Sequence, residues 1–247
     1  MKFKKNNTIY GILIIISIWY IFYFTISSNI IPAPHKTIIN FIKIFPSTLS
    51  IHISVSLMRL LLALLISLFL GVVIGVILGL NKKVDRLIKP VIYILYPIPK
   101  VAFLPVFMVL FGLGNLSKVI LILFIIIFQV IVTVRDAVNS LSKELFYSVR
   151  SLGMNKIQIL RHLIIPATMP EIFTSLKINV GTSVAVLFFA ENYATSYGIG
   201  YFIMNSWVKV NYLDMFSGIL ALSILGLALF KTVDFFENQF CGWIKKG

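Results

Sequence analysis

The feature that most constrains this chain is a series of apolar runs, each about as long as the roughly 20 residues a helix needs to cross some 30 Å of hydrocarbon. Such runs extend from Ile9 to Ile26, from Val55 to Leu80 and from Leu116 to Val134. In lipid every backbone N–H and C=O must be bonded internally, which leaves helices and closed barrels. The length and irregular spacing of these runs exclude the ten-residue alternation of a barrel strand. Composition agrees: 59% hydrophobic and 12% charged residues lie outside the range of soluble domains. The expected fold class is an all-α integral membrane protein with about six transmembrane helices.

The expected crossings are 9–26, 55–80, 91–111, 116–134, 178–197 and 215–231, in one membrane domain spanning 1–247 with a polar insertion at 135–177. The first run follows Lys2, Lys4 and Lys5, as in a signal peptide. It is longer than a usual signal core, carries Trp19 and lacks a small-residue cleavage pattern before Ser27, so it reads as an uncleaved crossing. The segment Ser27 to His52, with Pro32, Pro34 and Pro46, reads as an external loop carrying a short surface helix. In the second crossing Gly71, Gly75 and Gly79 recur every four residues, which lines small residues along one face for close helix packing. The third holds Pro97, Pro99, Lys100 and Pro105 at membrane depth, where proline removes helix hydrogen bonds and a cation is expensive. The fifth reaches Glu191, after which Tyr197, Gly198, Ile199 and Gly200 break the helical pattern. The tail alternates Phe235, Phe236, Phe240 and Trp243 with charges, as an interfacial segment does.

The formal charge is +14, from 22 Lys and Arg against 8 Asp and Glu. These cations sit between the apolar runs and form no stripe interleaved with exposed aromatics, so nucleic acid is not an expected partner. With the N-terminus inside, the cytoplasmic segments collect 16 of them, and only Lys36, Lys43, Lys118 and Lys209 lie outside. The positive-inside bias therefore places both termini and the 135–177 insertion in the cytoplasm. The single cysteine, Cys241, excludes an intrachain disulfide and is read as an unmodified cytoplasmic thiol.

No glycine is followed by lysine, so the chain has no loop of the type that cradles nucleotide phosphates. His35, His52 and His162 show no metal-ligand spacing, and neither a nucleophile elbow nor a paired intramembrane carboxylate occurs. No catalytic residue, metal or resident cofactor is expected on this chain.

The informative stretch lies in the insertion, SVRSLGMNKIQILRHLIIPATMPEI, residues 148–172. A helix ending near Leu152 meets Gly153, which permits a sharp turn, and a second helix with Ile157, Leu160, Leu163 and Ile164 on one face is expected to stop at Pro166. This stretch resembles the cytoplasmic signature of the permease subunits of ABC importers of the nitrate, sulfonate and taurine type: Glu-Ala-Ala, three residues, glycine, nine residues, then Ile-x-Leu-Pro. Gly153 matches the glycine, Leu163 and Ile165 the aliphatics, and Pro166 the proline, while Tyr147, Ser148 and Val149 replace the triad. The segments PIPKVAFLPVFMVLFGLGNLSK at 97–118 and AENYATSYGIGYFI at 190–203 resemble the third and fifth helices of the same family.

The resemblance implies a type I importer permease fold with a cytoplasmic coupling helix in the inner or plasma membrane. It also implies a second permease chain, identical or related, with a homodimer expected, an external solute-binding protein, and ATPase subunits that carry ATP and Mg. Val149, Arg150, Gly153, Met154, Asn155 and Pro166 become the candidate ATPase contact. Pro97, Pro99, Lys100 and Glu191 become candidates for the path of a small, anionic solute or vitamin precursor. Lys100 and Glu191 stand roughly 15 and 21 Å from the cytoplasmic side at 1.5 Å per residue, so an ion pair between them is an equal alternative to solute contact. The rival function, a secondary transporter driven by an ion gradient, would need coupling carboxylates at the midplane, where Glu191 stands alone.

Overall fold

The structure, a computed structural model, describes residues 5–26 and 30–243. Lys2, Lys4, Lys245 and Lys246, which enter the charge count, lie outside the described residues, as does Ser27. Among the described residues the fold is all-helical, with helices α1 (Lys5–Ile26), α2 (Pro34–Ile44), α3 (Ser50–Leu80), α4 (Lys82–Leu95), α5 (Leu104–Phe111), α6 (Asn115–Asn139), α7 (Lys143–Ser151), α8 (Lys156–Ile159), α9 (Ile165–Glu191), α10 (Ile199–Val208) and α11 (Tyr212–Phe240). Among the described residues five continuous helical segments are long and apolar enough to cross a bilayer, and the bent pair Lys82–Leu95 with Lys100–Phe111 makes a sixth if it is one span.

Three expected boundaries shift, and proline accounts for each. No loop separates the short helix α2 from the second crossing. A π-helical turn at Phe45–Leu49 joins α2 to α3, so that Pro34–Leu80 is one helical run of 47 residues. Likewise Pro166 does not stop its helix. A second π-turn, Leu160–Ile164, joins α8 to α9, and the run Lys156–Glu191 carries the insertion straight into the fifth crossing, which ends at Glu191 and not at 197. Pro46 lies inside the first π-turn and Pro166 just after the second. Widening the ladder to i→i−5, as in the bond from the Ile165 N–H to the Leu160 carbonyl, absorbs a missing N–H that would otherwise leave an i→i−4 gap. The third crossing departs in the opposite sense: Pro97 and Pro99 break it. The pieces Lys82–Leu95 and Lys100–Phe111 meet at 86°.

The chain divides into two compact units, residues 1–56 with 191–225, and residues 57–190 with 226–247. In the second unit, the glycines of α3 lie against valines of α6 with the same spacing of four. A Cβ added at Gly71, Gly75 or Gly79 would come within 2.7, 2.7 and 2.5 Å of the Cβ of Val130, Val134 and Val138 respectively. The seam is thus closed at backbone contact along two turns. Leu78, Ile131 and Ile92 of α4 are buried beside it, packed with Ile74, Ile127 and Phe128. In the first unit, Asn40 of α2 donates to Asp214 Oδ1 (2.7 Å) and Ser217 Oγ (3.0 Å) of α11, and Trp19 of α1 stacks on Phe216.

Candidate functional site: a capped knob and two helix breaks

The insertion between α6 and α9 ends in a turn that the sequence specifies atom by atom. Helix α7 closes with Gly153 at φ +74°, its N–H donating to the Arg150 carbonyl (2.9 Å), and with the Met154 N–H donating to the Val149 carbonyl (3.3 Å). This is the Schellman arrangement, in which a left-handed residue satisfies the last carbonyls of a helix. Asn155 then opens α8 through a reciprocal cap: the Gln158 N–H donates to Asn155 Oδ1 (2.9 Å), and the Asn155 N–H to Gln158 Oε1 (2.8 Å). Two terminations back to back make the knob rigid although it is only a few residues long. Nothing lies within 4 Å of the Cβ that Gly153 lacks, so backbone conformation alone demands glycine there.

The residues expected to make the ATPase contact take different parts in this turn. Val149, Gly153, Met154 and Asn155 build it, with Val149 and Met154 half-buried. Arg150 supplies a carbonyl to the turn and an exposed side chain to the surface, and Pro166 sits half-buried at the start of α9. What projects is a set outside those contact candidates: Leu152 and Ile157 are each 75% exposed and Tyr147 65%. Their signal was present in the apolar residues placed at a turn within a polar insertion.

The second feature is the break around Lys100, within the second unit. Pro97 and Pro99 stand in the segment between α4 and a single 3-10 turn, Lys100–Phe103. The Lys100 ammonium donates to the Tyr96 carbonyl (3.0 Å), which the bend exposes, and lies 5.5 and 5.3 Å from the ring centres of Tyr96 and Phe128. A carbonyl and two ring faces are what holds a cation where water is scarce. Deeper in the same unit two cations that sequence reasoning did not single out are buried. Arg59 of α3 donates from Nε (2.9 Å) and Nη2 (2.6 Å) to Asn115 Oδ1, and Lys118 of α6 donates to the carbonyls of Leu113 (2.9 Å) and Gly114 (3.2 Å). Lys118, expected on the external side of the membrane, folds its side chain back on the turn before α6.

The third feature is the break between α9 and α10, within the first unit. Glu191 is fully buried, and both its oxygens accept from Ser56 Oγ (2.8 and 2.9 Å). Its Oε2 also accepts from the Gly200 N–H (2.8 Å), while the Ile199 N–H donates to Ser56 Oγ (2.8 Å) and the Gly198 N–H to His52 Nδ1 (3.0 Å). A carboxylate and a hydroxyl thus cap the N-terminus of α10, where unbonded N–H groups and the helix dipole favour negative charge. The turn closes so tightly that a Cβ on Gly198, at φ +132°, would overlap the Glu191 carboxyl carbon and stand 2.5 Å from both oxygens. Lys100 and Glu191 belong to different units, and each has partners inside its own.

The capped turn and the two helix breaks fit a membrane protein with interrupted helices, and comparison with known proteins decides which kind. Residues 67–240 match the family described as binding-protein-dependent transport system inner membrane component. The chain belongs to this family of ABC importer permeases. It is 26% identical over 80% of its length to the taurine transport system permease protein TauC of Escherichia coli, 72% of which is covered. It is 28% identical to the formylaminopyrimidine transport permease protein ThiX of Halalkalibacterium halodurans, covering 88% and 87% of the two chains. A putative aliphatic sulfonates transport permease, SsuC of Bacillus subtilis, is 27% identical over 97% of this chain and 89% of its own. Among solved structures, an inward-facing form of the MetNI methionine ABC transporter superposes with a TM-score of 0.61 at 20% identity, covering 74% of this chain and 93% of the other. The fold is therefore that of a type I ABC importer permease, and the protein is a multi-pass membrane transport subunit. These matches set aside the ion-gradient-driven alternative.

Proposed function

We propose that this permease pairs with a second copy of itself to form the membrane path of an importer. Cytoplasmic ATPase subunits that carry ATP and Mg drive it, and an external solute-binding protein delivers the solute. The observation that carries the reading is the doubly capped turn at Gly153 with Leu152 and Ile157 projecting from it. A turn locked by two opposed caps, with apolar side chains held out of the protein, is shaped for a groove on another subunit. Closure of the ATPase pair would then pull the knob, and the continuous run Lys156–Glu191 transmits that displacement into the membrane as one rod. Both termini are cytoplasmic in this reading, as the distribution of Lys and Arg requires. Purification of the chain from its native membrane tests the partnership: ATPase subunits should accompany it, and a chain that transports without them would contradict it.

In the same reading the solute is small and carries a negatively charged group, as taurine and sulfonates do. It passes the break at Pro97, Pro99 and Lys100, where the helix has already given up its regular hydrogen bonds. Replacing Lys100 by methionine should lower uptake while leaving the protein folded, and adding Glu191→Gln should not restore it. Recovery of wild-type uptake in that double variant would show instead that Lys100 and Glu191 form a structural ion pair.

A further inference from the structure

The cations of the cytoplasmic insertion fall into two groups. The two at its roots are neutralised within the chain: Arg135 pairs with Asp85 (3.3 Å) and Asp136 (3.1 Å), and Lys177 with Asp234 (2.5 Å) and Glu237 (2.6 Å). The four on the knob, Lys143, Arg150, Lys156 and Arg161, are all exposed, and among the described residues none of them has an ion-pair partner. The knob has one carboxylate, Glu144, exposed in the first turn of α7. Its own backbone N–H and then the Ser142 hydroxyl stabilise its charged form and hold its carboxyl below the usual carboxylate range. At the place where the family signature has an acid, this chain has Tyr147.

We propose that the knob is recognised by an acidic groove, an apolar floor that takes Leu152 and Ile157 and a rim of carboxylates facing Arg150, Lys156 and Arg161. This rests on the reading of the knob as the ATPase contact and specifies the chemistry of the partner's surface. Arg150 stands two residues before Leu152 and Lys156 immediately before Ile157, so each projecting apolar side chain has an exposed cation close to it in the chain, the mixture that an apolar interface core with a charged rim requires. Charges of this kind steer encounter and exclude wrong partners more than they add affinity, and they carry a salt dependence with them. An anionic membrane surface would also attract cations. It imposes no shape, however, whereas the Schellman turn and the reciprocal Asn155–Gln158 cap hold this surface in one shape.

The test uses the full chain, purified with its ATPase subunits and placed in nanodiscs with or without phosphatidylglycerol. Association is measured at low and high salt for the wild type and for the double variant Arg150→Glu, Lys156→Glu. Both side chains are exposed, so the variant should fold, and its melting temperature is checked against wild type. The expected result is association weakened on the order of tenfold at low salt and a flattened salt dependence, equally in both lipids. Unchanged association, or a loss seen only in phosphatidylglycerol discs, would overturn the acidic groove, the latter in favour of a lipid contact. Failure of the wild-type chain to bind any ATPase would overturn the underlying reading as well, so the two failures are distinguishable.

Discussion

Two glycines in the left-handed region close the two turns that matter most here, and they are constrained in opposite ways. At Gly198 (φ +132°) the protein fills the space a side chain would need, with the buried Glu191 carboxyl packed against the backbone and bonded to Ser56 and Gly200. At Gly153 (φ +74°) the surroundings are empty, and only the backbone conformation calls for glycine. The first turn is held by the chain itself and serves stability. The second stands open at the surface, as the proposed docking to another subunit needs.

Substitutions at the two sites should therefore separate stability from coupling. The largest effect on folding is expected from Gly198→Ala. It adds backbone strain and drives the Glu191 carboxyl off its donors, leaving buried polar groups unbonded, at a cost on the order of 3 kcal/mol or more. A loss of folded protein in a detergent thermal-shift assay checks it, and an unchanged melting temperature would show that the α9–α10 turn is not locked. Gly153→Val should cost only about 1–2 kcal/mol, the penalty of placing a branched residue in the left-handed region, with Gly153→Asn milder still. Leu152→Ala, at a side chain 75% exposed, should shift stability by no more than about 0.5 kcal/mol yet weaken ATPase association measurably. If Leu152→Ala lowered the melting temperature as much as Gly198→Ala, the contrast between an inward and an outward turn would collapse.

The same contrast marks what could be read in the sequence. The α3 seam was legible because Gly71, Gly75 and Gly79 carry their message in local spacing, and Gly153 because a glycine between two amphipathic stretches has few other uses. Pro166 misled, since a proline was expected to end a helix. The π-turn at Leu160–Ile164 that lets the helix continue has no residue signature that spacing reveals. The α9–α10 latch was hidden for a different reason: Ser56 and Glu191 are 135 residues apart, and nothing in either neighbourhood names the other. The burial of Arg59 and Lys118 was not legible because a cation inside or beside an apolar run does not by its spacing name the groups to which it donates. Leu152 and Ile157 lie outside the matched positions of the family pattern, whereas Val149, Gly153, Met154 and Asn155 build the turn more than they present its surface.

The coupling of this permease to its ATPase through the Gly153 knob, as proposed above, is measured most directly by solute uptake in proteoliposomes containing the assembled importer with Gly153→Val in place of the wild-type chain, at equal amounts of inserted permease. The variant is expected to insert and melt within a few degrees of wild type, to carry less ATPase and to show uptake at background. Stable, fully inserted Gly153→Val protein with undiminished uptake would contradict that coupling.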